Sequence, residues 1–129
     1  MMLFTKEHLK RLTDNGKRDF QAIVYGDGGT SDYAPVVKLL TPDGEATWLL
    51  TALEFDMSDD GKEIVETGRA FGLCDLGMGF PELGYVDIEE LKAIRGGMGL
   101  PVERDMYFTA DKPLSEYAKK ASEEGRITA

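Results

Sequence analysis

From Val36 to Phe108 apolar and polar side chains alternate with a period of two between turn residues, and on either side of that span apolar residues recur at helical spacing. Pro35 to Leu40 (PVVKLL) predicts a compact strand, and Thr41-Pro42-Asp43-Gly44 predicts the turn that folds the chain back. The return strand, Ala46 to Asp56, puts Trp48, Leu50, Ala52 and Glu54 on one face and Leu49, Thr51, Leu53 and Phe55 on the other. Both faces carry apolar groups, as in a central strand covered on each side. Met57 to Lys62 predicts the next turn, and Glu63 to Asp75 a third strand interrupted by Gly68 and Gly72, where a bulge or close backbone approach is expected.

The most legible stretch is Glu82 to Phe108. Leu83 to Val86 reads as a short strand that enters a helix capped by Asp87, with Glu90 completing a capping box and Val86 and Leu91 placed as a hydrophobic staple. Ile88, Leu91 and Ile94 form its inward stripe, Glu89 and Lys92 its wet face, Arg95 suits its C-terminal dipole, and Gly96-Gly97 predict its end. A last strand is expected from Val102, with Val102, Arg104, Met106 and Phe108 on one face and Glu103, Asp105 and Tyr107 on the other. At the N-terminus Thr5 caps a helix with Phe4 and Leu9 as its staple, Leu9 and Leu12 turn inward, and Asn15-Gly16 predicts a stop. Phe20 to Tyr25 then reads as an extended segment and Gly26 to Asp32 as a loop without the Walker lysine or the spaced Rossmann glycines. Pro113 opens a final helix through Leu114, Tyr117, Ala118 and Ala121, which Gly125 ends. The expected architecture is one α+β domain over residues 1–129: an antiparallel meander of about five strands with an N-terminal helix, a short inserted helix and a C-terminal helix.

Composition narrows the chemistry. At 129 residues, 42% hydrophobic and 30% charged, the chain is long enough to bury a core without metal or disulfide support. The lone Cys74 cannot form an intramolecular disulfide, and no stretch approaches a membrane span, so a reducing, cytoplasmic setting is expected. Fifteen basic against 24 acidic residues give a formal charge of −9, which disfavours direct nucleic-acid binding. The one basic cluster, Lys6, Lys10, Arg11, Lys17 and Arg18, is diluted by Glu7, Asp14 and Asp19.

The runs VVKLLTPDGEATWLLTALEFD (Val36 to Asp56), FGL (Phe71 to Leu73), ELGY with DIEELKAIRG (Glu82 to Gly96), GLPVERDMYF (Gly99 to Phe108) and KPLSEY (Lys112 to Tyr117) carry a family likeness. The chain resembles the uncharacterised bacterial family called domain of unknown function 2958, and GLPVERD is the most specific of these pieces. The likeness covers most of the chain from Val36 onward; the first 35 residues carry less of it. It implies a shared fold and a mobile-element ancestry, and it brings no catalytic residues or cofactor.

Alternation puts the Arg104 guanidinium on an apolar face, where it needs a carboxylate partner or a ligand anion; Glu54 is the first expected partner and Glu82 the second. Glu103 and Asp105, with Glu82 or Asp56, form a candidate paired-carboxylate site, against which stands the ordinary solvated face of an edge strand. His8 is the only histidine, which excludes a histidine triad or a multi-histidine metal site, and it is expected exposed on its helix. Cys74 reads as an inert strand cysteine. Met78 and Phe80, set among glycines between Gly77 and Pro81, are the candidate partner-binding residues, against which stands simple covering of the core. Two expectations stand side by side. The first is an accessory or protein-interaction module with no cofactor or metal; the second is a small enzyme or ligand binder using Arg104, Glu54, Glu82, Glu103 and Asp105.

Overall fold

The computed structural model describes residues 3–26 and 31–129; residues 27–30 of the expected loop lie outside the described residues. The elements run α1 (Lys6–Tyr25), β1 (Val37–Leu40), β2 (Thr47–Met57), β3 (Ile64–Asp75), β4 (Glu82–Asp87), α2 (Ile88–Ala93), β5 (Glu103–Arg104) and α3 (Leu114–Glu124). The strands build one five-stranded sheet in the order β4-β3-β2-β1-β5. Every pairing is antiparallel, and the architecture is α+β as the patterning predicts.

The N-terminal region departs from its sequence reading. Asn15-Gly16 does not end a helix, and Phe20 to Tyr25 is not extended: both lie within the 20-residue helix α1. The buried residues of α1 are Leu12, Gly16 and Phe20, so Gly16 belongs to the inward stripe at i, i+4, i+8. A Cβ at Gly16 would stand 2.0 Å from the main-chain oxygen of Leu53. The glycine is there so that helix and strand backbones can approach, and that approach outweighs its poor helix propensity.

β2 is the central strand, but its faces differ from simple alternation. Leu50 and Leu53 both join the core cluster that includes Leu12, Phe20 and Trp48, although an odd spacing puts residues of a straight strand on opposite faces. The register shift between Leu50 and Ala52, where Thr51 is an extra β2 residue, supplies the parity change; a second shift, between Leu53 and Phe55, puts extra residues in β3. Leu53 and Phe55 therefore share the α1 side with Trp48 and Leu50. The opposite face holds Leu49 and Leu73 under Leu114, Tyr117 and Ala121 of α3. Each of these buried leucines contributes about 1.5–3 kcal/mol of transfer free energy.

Two helix ends are also settled by tertiary partners. α2 stops at Ala93, with Ile94 in extended geometry as its C-cap rather than Gly96 or Gly97 in the left-handed region. The Arg95 guanidinium donates to the carbonyls of Lys92 and Ile94, and the loop beyond wraps the β1–β2 turn, where Asp43 Oδ2 accepts from the amides of Met98 (2.6 Å) and Leu100 (3.2 Å). α3 has no capping side chain on its own N-cap Pro113. Asp32 performs that task from 83 residues away, accepting from the Ser115 amide at 3.0 Å and from the Ser115 hydroxyl.

The strand expected from Val102 to Phe108 is only two residues long, because after Arg104 the chain turns: Asp105 Oδ1 accepts from the Tyr107 amide at 2.9 Å. Met106 and Tyr107 are exposed, while Phe108 packs with the α3-side cluster and Val102 with the α1-side cluster. The four residues Val102, Arg104, Met106 and Phe108 consequently do not share a face.

Candidate functional site

The sheet register fixes where the nominated charged residues lie. Arg104 pairs with Leu39, Leu39 with Trp48, Trp48 with Cys74 and Cys74 with Glu82, so Arg104 and Glu82 occupy opposite ends of one rung. Four inter-strand steps separate them by about 19 Å. Glu54 lies two strands over and six residues along from Arg104, about 20 Å away. Neither expected ion pair with Arg104 forms. Glu103 pairs with Leu40, half-buried, and Asp105 Oδ2 sits 3.3 Å from Lys38 Nζ. The nominated acids are spread along and across the sheet and do not converge on Arg104.

Glu54 has a different cation. Arg69 Nε donates to Glu54 Oε1 at 2.8 Å and Nη2 to Oε2 at 2.9 Å, while the Thr67 hydroxyl also donates to Oε1 at 2.8 Å. The same guanidinium lies 5.1 Å from the Tyr85 ring centroid, and Tyr85 meets Phe71 edge-on at 5.2 Å. Thr67, Glu54, Arg69, Tyr85 and Phe71 thus form one chain of contacts. Sequence reasoning missed it because the irregular register between Leu53 and Phe55 hides which β3 residue faces Glu54.

A groove of about 540 Å³ opens beside this chain, walled by Leu3, Phe4, Leu9, Leu53 and Ile88 and edged by Glu54, Glu66, Arg69 and Lys92. Its size is in the range of small-molecule sites.

The second surface feature is the β3–β4 connection with the strand that follows. Leu76, Met78, Phe80, Leu83 and Tyr85 are 61%, 71%, 80%, 50% and 52% exposed, a succession of large apolar side chains within ten residues. Buried Asp75 organises the connection: Oδ1 accepts from the Gly77 amide and Oδ2 from the Ile127 amide, each at 2.9 Å, tying the loop and the C-terminal segment to the end of β3. Gly77 and Gly79 flank Met78 at φ of +79° and +87°, a region other residues adopt at a cost. Asp75 was not singled out from sequence; the Asp-x-Gly spacing of an Asx turn was the available signal. β4 is an edge strand, bonded to β3 on one side only among the described residues.

Comparison with known proteins adds a family. A family model described as protein of unknown function (DUF2958) matches residues 3–128. The chain belongs to that family. No curated protein and no solved structure matches it. The match takes in α1, so the DUF2958 region includes the helix as well as the sheet.

In this DUF2958 chain the remaining nominated residues are structural. His8 is half-buried rather than exposed: its amide donates to Thr5 Oγ1 at 3.0 Å, and its Nδ1 accepts from the Thr5 amide at 3.2 Å. The only histidine is therefore the second arm of a capping box, a position usually given to Glu or Gln. Partial burial, with the charges of Arg104 and Arg11 nearby, lowers its pKa. Burial pushes the Cys74 thiol up, away from a reactive thiolate. Trp48 is core. Among the described residues, no three His, Cys, Asp or Glu side chains group in a way that could hold a metal ion, and no helix is long and apolar enough to cross a membrane.

Proposed function

We propose that this DUF2958 protein is a small accessory module that docks another protein through the Leu76 to Pro81 loop and the adjoining edge of β4. The observation that carries the reading is the exposure of Leu76, Met78, Phe80, Leu83 and Tyr85 beside a strand that pairs on one side only among the described residues. The separation of Glu54 and Glu82 from Arg104 by about 19–20 Å across the sheet supports docking over an acid–base site built on those residues. Its partner is a protein rather than nucleic acid, given the formal charge of −9, and it works in the reducing cytoplasm, where the single Cys74 stays a thiol. The mobile-element origin rests on family likeness alone.

Affinity capture from the native host, with the wild-type protein and a Met78→Glu/Phe80→Glu variant side by side, tests the reading. Both side chains are exposed, so the variant keeps the fold. The wild type is expected to retain a reproducible protein that the variant loses. Identical capture by the two, or nothing reproducible, overturns it.

One observation favours a second reading, ligand binding: the apolar groove beside the Glu54–Arg69 pair. The dye 1-anilino-8-naphthalenesulfonate should then fluoresce with the native protein and lose that signal in Leu9→Glu. No fluorescence gain with the native protein removes this reading.

A further inference from the structure

The exposed β4 edge has a charge pattern that specifies its occupant. Between Arg69 and Lys92 the chain has no lysine or arginine, against Asp75, Glu82, Asp87, Glu89 and Glu90. Asp75 is buried and committed to two amides, and half-buried Asp87 caps α2 and pairs in register with Arg69 of β3. Glu82, Glu89 and Glu90 are exposed, with Glu89 lying 3.3 Å from Lys92 on the helix surface. β4 therefore offers a row of outward main-chain groups along six residues, with Glu82 at one end and Asp87, Glu89 and Glu90 at and beyond the other.

Its two faces are unequal. Leu83 pairs with Leu73 and Tyr85 with Phe71, which places Leu83 and Tyr85 on the face that α3 covers farther along the sheet. Both remain about half exposed, at 50% and 52%. A strand added to the outer edge of β4 would lay its alternate side chains over this uncovered margin.

A second copy of this chain fits poorly. Antiparallel self-pairing of β4 centred between Gly84 and Tyr85 sets Glu82 opposite Asp87 at both ends, and each copy carries a formal −9. A partner strand with lysine or arginine at its ends and apolar residues between meets the same edge with opposite charges. Resting on the docking reading above, we infer that the partner joins as an added β-strand on the outer edge of β4. Its apolar side chains cover Leu83 and Tyr85, and its basic ends meet Glu82 and the Asp87 to Glu90 acids. Main-chain hydrogen bonds supply the attachment and the flanking charges supply the selectivity.

Two synthetic probes test this with the full chain: a short peptide of alternating valine and threonine capped by lysines, and the same peptide capped by glutamates. Amide chemical shifts and hydrogen exchange are followed by NMR. The lysine-capped peptide is expected to shift residues 82–87, to slow exchange of outward β4 amides, and to bind about ten-fold tighter at low salt than its glutamate-capped counterpart. Salt should narrow the gap, and Glu82→Lys should reduce it. Equal binding of the two peptides overturns the inference, as does a concentration-dependent homodimer with protected β4 amides. Shifts confined to Met78 and Phe80, or no peptide binding while Met78- and Phe80-dependent capture persists, sinks strand addition and leaves the docking reading standing. Loss of both peptide binding and capture ends both.

Discussion

Asn15 Nδ2 donates to the main-chain oxygen of Thr51 at 2.9 Å, and this bond seats α1 on the irregular part of β2. Thr51 is the extra residue between the Gly72 and Phe71 pairings, so its carbonyl is turned out of the regular ladder, and Asn15 satisfies it from the helix. One residue on, Gly16 lets the helix backbone rest against Leu53.

That seating predicts the sign of two substitutions. Gly16→Ala gains about 1 kcal/mol of helix propensity, but its Cβ, 2.0 Å from a backbone oxygen, forces α1 away at a cost of about 1–3 kcal/mol. Net destabilisation is expected. Asn15→Ala leaves a buried carbonyl unpaired and should lower stability by about 1–3 kcal/mol. Urea denaturation followed by circular dichroism measures both, and a Gly16→Ala protein more stable than wild type would contradict the helix position.

The Glu54 carboxylate is held by Arg69 with 2.8 and 2.9 Å bonds, whereas Arg104 lies about 20 Å away. Because the Arg69 side chain is 50% exposed, the pair is expected to contribute only about 0.2–1 kcal/mol. A double-mutant cycle on Glu54→Gln and Arg69→Met should show coupling of that size. The cycle on Glu54→Gln and Arg104→Met should be additive. Coupling in the second cycle and none in the first would reverse the assignment.

His8 gives stability a pH dependence of defined sign. Its folded-state pKa lies below the ordinary 6.5, so between the folded and unfolded values the unfolded chain binds more protons and stability rises with pH. The His8 contribution is complete above 6.5 and is lost as pH falls from there through the folded-state value. Physically, protonation takes away the Nδ1 lone pair that accepts from Thr5. His8→Gln keeps an acceptor that does not titrate, so its stability relative to wild type should improve between about pH 7.5 and about pH 5.5. An unchanged difference across that range, read from thermal midpoints, would show that His8 does not titrate in the cap.

Cys74 packs against the α1-side core, and burial raises its thiol pKa. Reaction with 5,5′-dithiobis(2-nitrobenzoate) near neutral pH should be slow in the folded protein and fast in urea. Rapid modification of the native protein would place the thiol in reach of solvent.

Much of this fold is written locally. Pro42-Asp43-Gly44 dictates the β1–β2 turn, Asp87 caps α2 by accepting from the Glu90 amide at 3.0 Å, and alternation between turns dictates strands, so the α+β order is legible from residues alone. The glycines on both sides of Met78 mark a bend in the sequence, but whether Met78 and Phe80 cover the core or face solvent was decided by the tertiary structure, which exposes both. What eluded the pattern are positions where a distant neighbour overrides a local preference. Asn15-Gly16 is a helix stop by propensity and a docking point by contact, and the MYF run after Arg104 alternates without being a strand because Asp105 turns it. The charged site was likewise illegible, because which carboxylate meets which guanidinium depends on sheet order and on the extra β3 residues between Glu66 and Ala70, neither of which has a period. Sequence by itself determined the elements and their polarity, through short-range backbone preferences and side-chain spacing. Tertiary structure alone decided the partners: Arg69 for Glu54, Asp32 for the end of α3, and Gly16 for the backbone of Leu53, since each joins residues whose separation along the chain carries no local signal.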